Sequence, residues 1–313
     1  MSEPMRPTLR QLEYFIAVAE RSAFGPAADA LAVTQPSLSK QIAALEAELG
    51  LTLFERTSRS VRLTRAGTAL LDEAKAALAA ARRFKAVARD LAGDRARRLT
   101  AGVLPSIGAY FMPRLQERLR VSLPDVRISL LEGASRELLT RLEAGELDFV
   151  VASLSGAAGL EHRRLFDETL WICSAPDDPL MEREDPAGLD ALGGRVLLTL
   201  GPAFHLTRIV ERLAARAGAR LSEDYRGASL DAIRQMAASG AGVGVLPSLY
   251  ALGEAIRDPA FKVRRIADPQ ATHPVRLYWR KSSADSDLYE RLAEEMIAEK
   301  TQIRSERATR FQV

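Results

Sequence analysis

Cysteine is nearly absent: the 313 residues hold one, Cys173. A lone thiol excludes an internal disulfide framework and suits a reducing compartment. Histidine is scarce as well. The three present, His162, His205 and His273, fall in no nucleophile, metal-ligand or phosphate-loop motif. Neither an enzyme nor a protein with a metal or cofactor is expected. No apolar run reaches the ~18 residues of a membrane span, and Met1 to Leu9 has no signal-peptide core. These absences predict a cytoplasmic chain with no membrane partner.

Charge of one sign is also missing overall, with a formal net charge of +3, but its distribution is uneven. Residues 1 to 98 carry 16 Lys and Arg against 11 Asp and Glu, a surplus of five, and the remainder carries 28 against 30. The basic excess belongs to the amino-terminal third, as expected where a protein meets nucleic acid. A length of 313 residues, 47% of them hydrophobic, predicts two or three domains with real cores.

The most informative stretch is Ala23 to Arg65. A short helix, a turn, a longer helix and an arginine-dense hairpin read as a winged helix-turn-helix. The longer helix begins at Thr34, whose hydroxyl can cap free amides, and Pro36 stands in its first turn, where a missing N–H costs nothing. Leu38, Ile42, Leu45 and Leu49 recur at helical spacing as an inward face, and Gly50 closes the helix. Gln35, Ser37, Ser39, Lys40 and Gln41 are left near the amino end, where a recognition helix meets base edges. The hairpin tip, Arg56 to Arg62, holds Arg56, Arg59 and Arg62. It is either a solvated basic loop or a wing lying along phosphates or in a narrow minor groove. Beside a capped recognition helix, the wing is the reading taken.

Leu9-Arg-Gln-Leu-Glu-Tyr-Phe15, Ala27-Ala-Asp-Ala-Leu31, Thr34-Gln-Pro-Ser-Leu-Ser-Lys-Gln41, Leu45-Glu-Ala-Glu-Leu-Gly50 and Leu53-Phe-Glu-Arg56 together resemble the amino-terminal domain of LysR-type transcriptional regulators. The resemblance runs without a gap over about residues 8 to 70. It implies DNA contacts at Gln35, Pro36, Ser37, Ser39, Lys40 and, in the wing, Arg59; Arg62 is added from the hairpin itself. Gly25-Pro26 depart from the family pattern, which has a polar residue and an arginine or lysine there, so a phosphate contact is in doubt.

Thr8 opens a first helix with Leu9, Leu12, Ile16 and Ala19 on one face. From Arg65 to about Leu91 an alanine-rich helix carries an apolar stripe through Leu70, Ala74, Ala77, Leu78, Ala81, Phe84, Val87, Ala88 and Leu91. At about 28 residues it spans some 42 Å, too long to bury that stripe on the first 64 residues. It packs on the carboxyl-terminal domain or pairs with its copy in a second subunit. The second reading is preferred, because it sets two recognition helices on one duplex. The resemblance implies a homotetramer; the residues argue only for pairing.

Beyond a charged hinge at Gly93 to Arg98, strands and helices alternate: a strand at Leu99 to Leu104, a helix from Ser106 to Val121, a strand at Val126 to Leu131, a helix from Ser135 to Ala144 and a strand at Leu147 to Ala152. This predicts a doubly wound α/β sheet. Strands at Thr169 to Ser174 and Val275 to Trp279 cross to a second lobe and back, that lobe including a strand at Phe261 to Ile266. A closing helix spans Asp285 to Lys300. The expected fold is α/β: a winged helix-turn-helix (1–64), a linker and dimerisation helix (65–94), then a periplasmic-binding-protein-like effector domain. Its lobe I comprises 95–168 and 269–300 and its lobe II 169–268, with a polar tail at 301–313.

Ligands of open α/β sheets sit beyond the carboxyl ends of strands. Pro105-Ser106, Gly133-Ala-Ser135 and Ala203-Phe-His205-Leu-Thr207 place polar side chains at helix amino termini, where an anion is favoured. Taken singly, each serine or threonine reads as an ordinary cap; taken as a set, they read as a ligand site. The predicted effector set is Ser106, Ser135, Phe204, His205, Thr207 and, at the rim, Ser229, for a small anionic ligand. Gly102 to Tyr110, Leu147 to Val151 and Ser229 to Pro247 resemble the peroxide-sensing OxyR branch of the family, which works through two cysteines. Aligned on Ala217-Gly-Ala219, those positions fall on His205 and Ala214. Cys173 sits in the apolar run Leu170-Trp-Ile-Cys-Ser174, where burial blunts a thiol. The expectation is therefore a ligand-responsive transcription factor without a disulfide switch. His205 either pairs with an anionic effector or is structural. A solute-binding protein is the competing class, opposed by residues 8 to 65.

Overall fold

The computed structural model describes residues 7–56, 61–91, 97–153, 159–183, 185–283 and 285–311. It divides into two compact units, one of Met1–Asp94 and Ala144–Glu146 and one of Arg95–Glu143 and Leu147–Val313.

In the first unit, helices α1 (Leu9–Arg21), α2 (Phe24–Ala30) and α3 (Gln35–Leu49) precede a hairpin of β1 (Phe54–Arg56) and β2 (Val61–Leu63), then helix α4 (Arg65–Leu91). Thr8 caps α1 by accepting the Gln11 amide, and the Gln11 side chain reaches back to the Thr8 amide in a capping box. The buried face of α1 is Gln11, Tyr14, Phe15, Ala17 and Val18. This corrects the expected face, because Leu9 is 46% exposed and Leu12, Ile16 and Ala19 are only partly buried. Aromatic geometry decides the rotation: Phe54 stands edge-on to Phe15 at 5.5 Å and to Phe24 at 6.0 Å, and α1 turns its ring-bearing side toward it.

Helix α4 has the expected extent. Ala74 joins the same core, Leu70 and Leu71 pack against it, and Lys75 meets Glu20 at 3.3 Å. A Cβ on Gly67 would fall 2.3 Å from the Leu53 carbonyl oxygen, so only glycine lets α4 start against the wing. Farther along, Phe84 is 76% exposed.

The second unit is one sheet in the order β4-β3-β5-β11-β6-β9-β7-β8, with β10 also on β6. Strands β3 (Arg97–Val103), β4 (Val126–Glu132) and β5 (Phe149–Ala152) are parallel and make lobe I. Strands β7 (Val196–Leu198), β8 (Arg220–Leu221) and β9 (Val243–Pro247) are parallel and make lobe II. Strand β6 (Leu160–Cys173) joins them. Up to Thr169 it pairs with β11 (Thr272–Arg280), and from Leu170 with β9.

Four local expectations are corrected. The helix foreseen over Ser106 to Val121 breaks at Phe111 into α5 (Pro105–Tyr110) and α6 (Met112–Ser122), with Pro113 in the first turn of α6. The strand foreseen at Phe261 to Ile266 shrinks to β10 (Arg264–Arg265), where the Arg264 side chain donates to the Leu180 and Asp185 carbonyls. After α7 (Ser135–Glu143), α8 (His205–Ala217) and α9 (Leu230–Ala238), a helix α10 (Ser248–Arg257) stands where none was foreseen. The polar tail is helical: α11 runs Ser286–Phe311, Ile303 is 1% exposed, and Arg307 donates to the Ser248 and Leu249 carbonyls.

Candidate functional site

The nucleic-acid surface follows from how α3 is held. Leu38, Ile42 and Leu45 are fully buried, fixing its rotation, and the Thr34 hydroxyl accepts the Ser37 amide at 3.4 Å. Gly50 ends the helix at φ 64°, a left-handed value suited to glycine. With that face spent, Gln35, Pro36, Ser37 and Lys40 are exposed and Ser39 is half-buried. Glu46 on α3 accepts the Leu53 and Phe54 amides at 2.8 and 3.1 Å through one carboxylate oxygen, tying the hairpin to the helix. Arg62 is exposed on β2. Arg59, with residues 57–60, lies outside the described residues.

The cleft of the second unit closes around a small cavity. Its lining is Leu104, Pro105, Ser106, Leu200, Phe204, His205, Leu206, Leu230, Pro247 and His273, and its free space is about 10 Å³, room for about one water. Of the six residues expected to bind effector, Ser106, Phe204 and His205 are among those lining the cavity. Ser135, Thr207 and Ser229 do not line it. The Ser135 oxygen accepts the Ser153 amide at 3.3 Å, one residue removed from the cavity. The Thr207 hydroxyl is turned to the Leu200 and Gly201 carbonyls, each at 2.8 Å. Ser229 is exposed and accepts the Ala232 amide at 3.2 Å, which makes it a cap of α9. All three oxygens make the capping or packing bonds just described.

His205 opens α8, whose buried face of Leu206, Ile209, Val210 and Leu213 fixes its direction. Its Nδ1 lies 2.9 Å from the Ser153 hydroxyl, a bond from lobe II to lobe I. Burial, then neighbouring His273, then Arg208, Arg212 and Arg276 push the ring down to about 4, so it is neutral at pH 7. The rings of His205 and His273 stack at 6.1 Å. Sequence reasoning missed His273, which occupies a strand rather than a strand-to-helix junction. It also missed Glu168, fully buried behind the cavity and bonded to Ser106. Glu168 is flanked by Asp167 and Thr169, so no local pattern marked it as buried.

Cys173 is 1% exposed, and burial pushes its thiol up to about 12. Among the described residues no group of three or more His, Cys, Asp or Glu could hold a metal, and no helix is long and apolar enough to cross a membrane.

Comparison with known proteins matches both units. A family described as bacterial regulatory helix-turn-helix protein, lysR family, covers residues 9–68, and the LysR substrate binding domain covers residues 92–300. The DNA-binding transcriptional dual regulator OxyR of Escherichia coli (strain K12) is 34% identical over 287 residues, 91% of this chain and 93% of that protein. A cysteine-to-aspartate variant of full-length OxyR from Pseudomonas aeruginosa superposes with a TM-score of 0.64 at 30% identity, covering 94% of this chain and 95% of that one. Full-length CbnR complexed with its target DNA gives 0.66 at 26% identity, covering 94% and 100%. Its helix-turn-helix and effector-binding domain, matched in order along one chain, place this protein in the LysR family of transcriptional regulators.

Proposed function

We propose that the chain binds an operator duplex as an oligomer and changes its grip when a small effector enters the cleft. In this reading Gln35, Pro36, Ser37, Ser39 and Lys40 face the major groove, and Arg59 and Arg62 lie along phosphates. Pairing along α4, with a tetramer as the full assembly, sets two such surfaces on one duplex. The observation that carries it is the rotation of α3: its apolar face is fully buried, and the residues able to read bases are the ones left outside. Selection from a random duplex library with the full-length protein is expected to enrich an interrupted inverted repeat. Enrichment of no sequence overturns the reading.

The effector response in this reading does not run through a disulfide within the chain. The chain has one cysteine, and its thiol is buried and protonated. Replacing Cys173 by Ser is expected to leave operator binding and its response unchanged; loss of the response on oxidant treatment in that variant alone argues the reverse. The anionic effector expected from the sequence keeps one supporting observation, the arginines 208, 212 and 276 whose charges act on His205.

A further inference from the structure

The last turns of α11 send Arg307 back into the unit. Its Nη1 donates to the Ser248 carbonyl at 3.2 Å and to the Leu249 carbonyl at 3.4 Å. The first of these carbonyls shares a peptide group with the Leu249 amide, and that amide donates to one oxygen of Glu168 at 2.9 Å. The other oxygen of Glu168 accepts the Ser106 hydroxyl at 3.2 Å and stands 3.4 Å from Nδ1 of His273. Ser106 and His273 line the cavity, whereas Glu168 is fully buried behind it. One peptide group thus lies between a guanidinium and a carboxyl group, its carbonyl toward the first and its N–H toward the second. Hydrogen bonds in such a row polarise one another, most of all away from water.

The placement of Arg307 is not explained by α10 alone, because the amino terminus of a helix disfavours a cation. Glu168, on the far side of the peptide, supplies what the helix does not. Burial lowers Lys300 and Arg307, and for both the charge of Glu168 acts against it. Lys300, Ile303 and Arg307 share one face of α11, and Ile303 between them is 1% exposed. A Cβ on Gly253 would fall 2.6 Å from the Tyr110 ring and 3.5 Å from Nη2 of Arg307, so glycine lets Tyr110 close on α10 beside the guanidinium. We propose that Arg307 is a positioning residue of the effector cleft, which holds Ser106 and His273 in the cavity wall through the Ser248–Leu249 peptide and Glu168. Turns that read as a polar tail in the sequence then support the ligand site, although none of their residues lines the cavity. The proposal rests on the cleft being the effector site.

The chain has three histidines, so the ring signals of the full-length protein can be read by NMR with carbon-13-labelled histidine and assigned with His162→Gln and His205→Gln variants. Arg307→Met is expected to shift the His273 signals and to leave those of His162, which stacks on Tyr278, in place. Arg307→Lys keeps a charged donor and is expected to shift them less. In a Glu168→Gln background Arg307→Met is expected to add little, since the row is already cut at its next link. Arg114→Gln is the control for loosened packing, because Arg114 holds the same turns through Glu299 and Glu306. It is expected to leave His273 unmoved. The proposal is overturned by an unmoved His273 in Arg307→Met, an equal shift in Arg307→Lys or Arg114→Gln, or full additivity with Glu168→Gln. Should Glu168→Gln fail to fold, the Arg307 and Arg114 variants still decide. Failure of the effector reading shows elsewhere, as operator affinity unaffected by the cleft-filling Leu230→Trp while His273 responds to Arg307 as expected.

Discussion

The residues α3 offers to DNA come from one run, Gln35 to Lys40, whereas the ten that line the cleft come from six separate stretches between Leu104 and His273. The first surface is what remains when a single helix has spent its apolar face. The second exists only after β6 and β11 have brought two lobes together, and two of its lining residues, Ser106 and His273, lie within 3.4 Å of Glu168, which is not itself part of the lining. A surface of the first kind tolerates single changes and loses function contact by contact. A cleft of the second kind ties each polar group to another, so one substitution alters several at once.

The sharpest way to break the contrast is to remove what holds the first surface without touching it. Phe54 is 2% exposed and packs edge-on against Phe15 and Phe24. Phe54→Ala is expected to cost about 3–5 kcal/mol in the first unit. Both tryptophans, Trp171 and Trp279, lie in the second unit and report on it alone. In urea, the far-ultraviolet circular dichroism transition of this variant is expected to start earlier while the tryptophan transition stays in place. A joint shift of both means that the two surfaces are not independently supported.

The cleft is expected to show itself through pH. His205 titrates near 4 when folded, below its ordinary value near 6.5, so between those values the unfolded chain binds more protons than the folded one. Stability is therefore full above about pH 6.5 and is lost as pH falls toward 4. For a half-buried ring the loss is about 1–2 kcal/mol after allowing for solvent screening. Tryptophan-detected urea midpoints from pH 7 to 4.5 are expected to fall more steeply in the wild type than in His205→Gln. Parallel slopes place the ring in solvent.

How much of each region the sequence disclosed follows the same divide. Thr34, Pro36 and Gly50 act within one turn, and Leu38, Ile42 and Leu45 recur at helical spacing, so α3 and its outer face were legible. The face of α1 was not, since Phe54, more than thirty positions away, decides which side turns inward. Helix starts marked Ser106 and His205, which line the cavity, but marked Ser135, Thr207 and Ser229, which do not, equally well. Only tertiary pairing separates the two groups. The last turns of α11 were misread because their polar residues work across the unit: Arg307 on the Ser248 and Leu249 carbonyls, Glu306 on Arg114 at 2.7 Å.

Smaller effects sharpen the account of the first surface. Arg62 is exposed on β2 and makes its proposed contact with phosphate rather than base. Arg62→Ala is expected to weaken operator and random duplex by similar factors and to lower the slope of log affinity against log salt by about one. A loss confined to the operator would instead assign Arg62 to base readout.

The smallest expected change is a gain. Pro26 is exposed in the first turn of α2, and a Cβ built on neighbouring Gly25 would have Gln35 Oε1 as its nearest atom, at 3.8 Å. The start of α2 thus lies beside the first residue of α3; in the proposed complex it would face a phosphate flanking the bases that α3 meets. Pro26→Arg restores the cation that the family pattern has at this point, giving up the stiffness of proline, worth about 0.4–1 kcal/mol of folding stability. A surface that works contact by contact should accept the addition: salt slope up by about one, affinity up alike for operator and random duplex. An unchanged slope puts the flanking phosphate out of reach of α2 and leaves the wing as the main backbone contact. A gain for the operator alone would mean that even this local surface is coupled, as the cleft is.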